Sequence, residues 1–299
     1  MEKFSFSSAL MHFQNTKGPG SFVWKWLIAA FISMSILAGV FTFFILEVTS
    51  QIGPIPIGTT VPLSDRQAAD VAGTMFGFFV IIIPLSMVLW SLLEASALRR
   101  YVRQEGFSIR FGKDELRVLG VYLCWFGMFL LTMIVYFVSM MIIGIMVVIV
   151  ASGLPMAATY LAFGLNLALA AGLYYLVVRF SAASAVTIRD NKVTFFSAEQ
   201  VTHGRIWSMI GAFLVVLVAN YVIQFAMQFT VGFLFPSTGV IDTSNGLPPT
   251  VIVGIVIYAF VYALSVAISL LVNLGITSRA AITDESWSGR GGEVVETFE

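Results

Sequence analysis

Long apolar runs, interrupted at wide intervals by clusters of charge, set the pattern of this chain. A helix needs about 20 apolar residues to cross a hydrocarbon core roughly 30 Å thick. Trp24 to Leu46 meets that length, with Lys25 and Glu47 marking its ends, and Val71 to Leu93 does so between Asp70 and Glu94. The 61 positions between Arg117 and Arg179 hold no Asp, Glu, Lys, Arg or His, and "ASGLP" at 151–155 offers Gly and Pro near their middle. At about 1.5 Å per residue this run makes two spans and a turn. Ile206–Leu234 and Val251–Asn273 complete the set. The pattern predicts an all-α, polytopic membrane protein of six spans, at about 24–46, 71–93, 119–150, 156–178, 206–234 and 251–273. The third span exceeds the bilayer thickness, so part of it is expected to tilt or protrude.

Charge then orients the spans. With both termini on one side, that side carries every Lys and Arg except Arg66, which is 15 of 16, while the opposite loops hold Glu47, Asp65, Asp70 and Asp242. Positive residues stay cytoplasmic, so both termini are expected there, in the inner membrane of a bacterium. Residues 1–22 read as an amphipathic cytoplasmic lead-in, 23–282 as the six-span domain, and 283–299 as a flexible, polar tail.

Composition narrows the function classes. The chain is 59% hydrophobic and 11% charged, with 16 basic and 16 acidic residues, which leaves no basic surface for nucleic acid. The first run is too long for a signal-peptide core and reads as retained. Cys124, the lone cysteine, lies in an apolar run and forms no intrachain disulfide.

The charged boundaries resemble one another. After the second span the chain reads "EASALRRYVRQEGFSIRFGKDELRVLGVYLCW" (94–125), after the fourth "RFSAASAVTIRDNKVTFFSAEQVTHGRIWSMI" (179–210), and after the sixth "GITSRAAITDE" (275–285). Each places Ser and Ala beside Arg, and Thr16-Lys17-Gly18 matches Thr202-His203-Gly204 in the approach to a span. Three tandem two-helix units are therefore expected, running parallel because each begins and ends inside. The β-branched stretches "VTI" and "KVTFF" around Asp190-Asn191 predict a small β-hairpin.

At 179–207 the sequence resembles the integral membrane domain associated with some bacterial glycerophosphodiester phosphodiesterases, through Arg179, Ser181, Ala182, Ser197, Thr202, Gly204 and Arg205. Members with phosphodiesterase activity carry it in a separate soluble barrel, which is not found within these 299 residues. The resemblance implies a membrane domain concerned with lipids and supplies no catalytic residues.

Candidate chemistry is sparse. Asn220, Gln224 and Gln228 repeat every four residues and so share a helical face, suited either to packing between helices or, with Asn166, to lining a path. Arg99, Arg100, Arg179, Ser181, Arg205 and Arg279 mark the inner boundary as helix anchors or as contacts to a phospholipid headgroup. Glu94 is expected to pair with Arg179 or Arg99. His12 and His203 lack companions at metal-ligand spacing, so no metal, cofactor or catalytic group is expected. Gly73 and Gly77, and Gly164, Ala168 and Gly172, form small-residue ridges for helix packing or for a second copy. Trp24, Trp26, Trp90, Trp125 and Trp207 are expected as interfacial anchors. The expected function is a non-enzymatic membrane module that organises lipids or partner proteins at the cytoplasmic face. The alternative is a transporter or flippase for an amphipathic solute.

Overall fold

The computed structural model describes residues 4–16, 20–52, 64–151, 155–234 and 249–283. Among them are six helices long and apolar enough to cross a membrane, and no strand. The chain runs α1 (Phe6–Leu10), α2 (Phe22–Ile52), α3 (Asp65–Arg103), α4 (Lys113–Ala151), α5 (Pro155–Phe180), α6 (Ala183–Asp190), α7 (Ala198–Thr202), α8 (Ile206–Leu234) and α9 (Pro249–Ile282). The spans pair as α2 with α3, α4 with α5 and α8 with α9, each packing most extensively on its own mate.

Burial is confined almost entirely to one end. In α2 the buried residues are Phe22, Trp26, Ala30 and Ser33; in α3 none precedes Ser91; in α4 none follows Val121. The three pairs therefore share a core only where the arginines lie, hereafter the charged end. Beyond it, long apolar side chains such as Phe76, Phe137 and Phe225 face outward, as lipid-exposed helices require.

The charged-end core is built by the three boundary segments. The last turns of α3, all of α6 and the last turns of α9 pack on one another. Their contact residues are small: Ala95, Ala97, Ala182, Ala183, Ala185, Ala280 and Ala281 are fully buried. Small side chains let backbones approach closely, as at Gly275, where an added Cβ would lie 3.1 Å from the Phe13 backbone nitrogen. This contact also brings the segment after α1 onto α9, so the two described ends of the chain meet at the charged end. Trp26, 1% exposed, ties α2 to α3 by donating from Nε1 to the Leu93 carbonyl at 2.9 Å. It is a core residue, not the interfacial anchor expected of it; Trp24 and Trp207 do face outward.

Two further expectations are corrected. The hairpin around Asp190-Asn191 is absent: 183–190 is helical, and 192–196 contains no strand. Val186, Thr187 and Ile188 favour strands, yet the alanines beside them fit a helix wedged between α3, α4 and α9, and that packing overrides local preference. Likewise "EASALRR" does not leave the span but extends α3 by ten residues past Leu93, because Ala, Leu and Arg are strong helix formers with a buried face. α3 and α6 nevertheless stop alike. Gln104 and Asn191 take φ of 59° and 57°, the two non-glycine residues with positive φ among those described. The "ASGLP" turn falls partly outside the described residues, as does the tail beyond residue 283.

Candidate functional site

The arginines of the charged end are engaged by the protein. Arg99 is fully buried, paired with the Glu115 carboxylate, and donates to the Ser108 carbonyl at 2.7 Å. Arg103 joins the first unit to the second, binding Asp114 at 2.8 Å, the Ile188 carbonyl at 2.6 Å and Asn191 Oδ1 at 2.7 Å. Arg189 joins the second to the third through the Ala281 carbonyl at 2.7 Å. Arg205 donates to the Ala280 carbonyl at 2.9 Å and to Thr283. The guanidinium groups thus satisfy carbonyls left open at helix ends, where cations also complement the helix dipole. Arg100 is buried over the Phe22 ring and donates to the Thr16 carbonyl at 3.2 Å. Arg279 is half-buried near His12, and burial together with that charge lowers the His12 pKa to about 4. Arg179 pairs with Glu199 and Tyr175.

Glu94 therefore has neither expected partner. Its carboxylate accepts from the Tyr122 hydroxyl at 2.6 Å, while Arg99 and Arg179 are held by Glu115 and Glu199. Sequence separation hid these pairings, since each depends on how a boundary segment folds back. Of the glycines in the small-residue ridges, only Gly77 meets a neighbour, the Phe44 ring, at 3.9 Å from an added Cβ. Nothing lies within 4 Å of a Cβ placed on Gly73, Gly164 or Gly172. His203 is exposed, and among the described residues no cluster of His, Cys, Asp and Glu has metal-binding geometry.

A cavity of about 330 Å³ opens just beyond this clasp, between α5, α8 and α9. Val177, Val178, Phe213, Val216, Leu217 and Leu274 make its apolar wall; Tyr174, Ser181, Asn220, Ser269, Asn273 and Thr277 make a polar one. Three of those polar groups end in buried atoms without a hydrogen-bond partner: Tyr174 Oη, Asn220 Oδ1 and Asn273 Oδ1. A buried acceptor left unsatisfied costs about 1–3 kcal/mol, so three around one space mark it as a site for a complementary group. Two of the hydroxyls are already engaged: Ser181 Oγ donates to the Val178 carbonyl at 2.8 Å and Thr277 Oγ1 to the Leu274 carbonyl at 3.1 Å.

The structure separates the three residues of the helix face. Asn220 lines the cavity, whereas Gln224 is half-buried outside it and Gln228 is exposed. Residues four apart drift around a helix by about 40° per step, which carries the outer two away from the cavity wall. Asn166 is satisfied by its own helix, donating to the Ala162 carbonyl at 2.8 Å. Sequence reading missed Tyr174 and Asn273. Asn273 shares a face of α9 with Ser269 and Thr277, each four residues apart, while Tyr174 stands beside Tyr175 in an apolar run, and only the approach of α5 and α9 to α8 brings them together.

No family model, no curated protein and no solved structure matches this chain.

Proposed function

We propose that this protein is a non-enzymatic module of a bacterial inner membrane that holds lipid at its cytoplasmic side. The observation that carries the reading is the cavity between α5, α8 and α9, with three unsatisfied polar atoms on one wall and a hydrocarbon-like surface on the other. Such a space suits an amphiphile whose polar group meets Tyr174, Asn220 and Asn273 while its chains lie against the apolar wall. The charge asymmetry supports a cytoplasmic charged end. The resemblance of 179–207 to the membrane domain associated with glycerophosphodiester phosphodiesterases points to lipids as well.

The arginines serve this function indirectly. Most of their hydrogen bonds go to carboxylates and carbonyls of the protein itself, so they hold the charged end together beside the cavity in place of gripping a phosphate. Purification in mild detergent, followed by mass spectrometry of what remains bound, tests the proposal. Retention of lipid at near one equivalent is the expected result, and a lipid-free protein that behaves normally in other respects would overturn it. A transporter or flippase built on the same residues requires the clasp to open. Movement of labelled lipid across vesicles that depends on Asn220 would favour that reading over static holding.

A further inference from the structure

Resting on the lipid-holding reading, we infer that the α5/α8/α9 cavity selects a neutral amphiphile whose head bears a free hydroxyl group, as diacylglycerol does, and rejects anionic phospholipid. The argument turns on what the unsatisfied atoms need. Asn220 Oδ1 and Asn273 Oδ1 are carbonyl oxygens and accept only; the ligand must bring donors. The phosphodiester group of an anionic phospholipid donates to neither amide oxygen and adds an unpaired charge of its own, even where its head carries hydroxyls beyond the phosphate.

Charge complementarity gives the same answer. The residues lining the cavity include no Asp, Glu, Lys, Arg or His. The nearest cation along α5, Arg179, is engaged by Glu199 and Tyr175. An anion or a cation buried here would have no counter-charge, which is the costly arrangement. A hydroxyl is neutral, donates to one amide oxygen and accepts in turn from the Tyr174 hydroxyl.

Size sets the last limit. At about 30 Å³ for each water in the liquid, the cavity of about 330 Å³ takes a small polyol head and a few methylenes. It does not hold a whole lipid. The chains must leave along α8, where Leu217 and Tyr221 present apolar surface to the membrane.

The test uses the full chain in nanodiscs or mild detergent, offered 1,2-dioleoylglycerol in competition with dioleoylphosphatidylglycerol, and read by native mass spectrometry. The expected result is preferential retention of dioleoylglycerol, reduced at least tenfold by Asn220→Leu and by Asn273→Leu. Thermal stability of the lipid-free variants supplies a second readout. Replacing an unsatisfied buried acceptor by an apolar group leaves the melting temperature unchanged or raises it, whereas a purely structural amide would lower it on replacement. The wild-type competition stands even if a variant folds poorly. Equal or better retention of phosphatidylglycerol, or dioleoylglycerol binding indifferent to both substitutions, overturns the assignment while leaving the lipid-holding reading in place. Retention of neither lipid, with water as the only occupant, overturns both.

Discussion

Among the described residues, three clefts lie between the helix pairs, and one of these three is polar. Each lies between the returning helix of one pair and the outgoing helix of the next. The α3/α4 cleft is walled by Phe76, Phe79, Ile83, Met87, Leu123 and Phe126, and the α9/α2 cleft by Trp24, Leu27, Phe31, Phe260 and Leu264, with no polar side chain in either beyond the Trp24 indole. The α5/α8/α9 cleft carries Tyr174, Asn220 and Asn273. The same architecture closes twice without amides, so the amides of the third cleft are not a requirement of the fold. Position in the fold provides the space; side-chain chemistry at a few places decides what the space can hold.

The strongest way to break this comparison is to loosen the charged end, where all three pairs meet. Arg99 and Glu115 are a buried pair, and deleting one partner strands the other charge. Arg99→Leu is expected to cost about 3–5 kcal/mol, measured as a large fall in thermal or denaturant stability together with loss of lipid from the α5/α8/α9 cavity. Lipid retained there despite the fall would show that the cavity does not depend on the Arg99–Glu115 pair.

Acid should loosen the charged end more gently. His12 lies 5.9 Å from the Tyr101 ring, which in turn meets Phe22 of α2, and its pKa is lowered to about 4 by burial and by Arg279. The unfolded chain titrates near 6.5, so between those values it binds a proton that the folded chain refuses. Stability is therefore full above about pH 6.5 and declines as pH falls toward about 4, by up to roughly 3 kcal/mol at 1.36 kcal/mol per pKa unit. His12→Asn should flatten a plot of melting temperature against pH in that window. An unchanged slope would place the acid sensitivity elsewhere.

A single amide placed in an apolar cleft sharpens the contrast. Met87→Asn puts an unsatisfied group between α3 and α4, at an expected cost of about 1–3 kcal/mol, without added retention of neutral lipid. Smallest of all, Gln228→Leu should shift stability by no more than about 0.5 kcal/mol and leave lipid retention as it is, since Gln228 is exposed outside the cavity.

What the sequence made legible follows physical range. Spans depend on local composition, and α8 coincides with the predicted 206–234. The boundary segments share Ser, Ala and Arg in their sequence. Their conformation was not legible, since the alanines around Val186–Ile188 act through a helix-packed environment that no local propensity reports. The site lay furthest from view. Asn220 stood out by its spacing from Gln224 and Gln228; Asn273 carried the same four-residue spacing with Ser269 and Thr277, but only the packing of α5 and α9 on α8 brings it and Tyr174 to Asn220.

The central claim is that one cleft is chemically distinct, and photo-crosslinking reads it directly. A diacylglycerol carrying a diazirine near its glycerol should be offered to the full chain in nanodiscs, and the labelled peptides mapped. The account predicts adducts concentrated in 174–181, 213–220 and 269–277. Equal labelling across the three clefts, or labelling centred on 76–88 and 119–126, would contradict it.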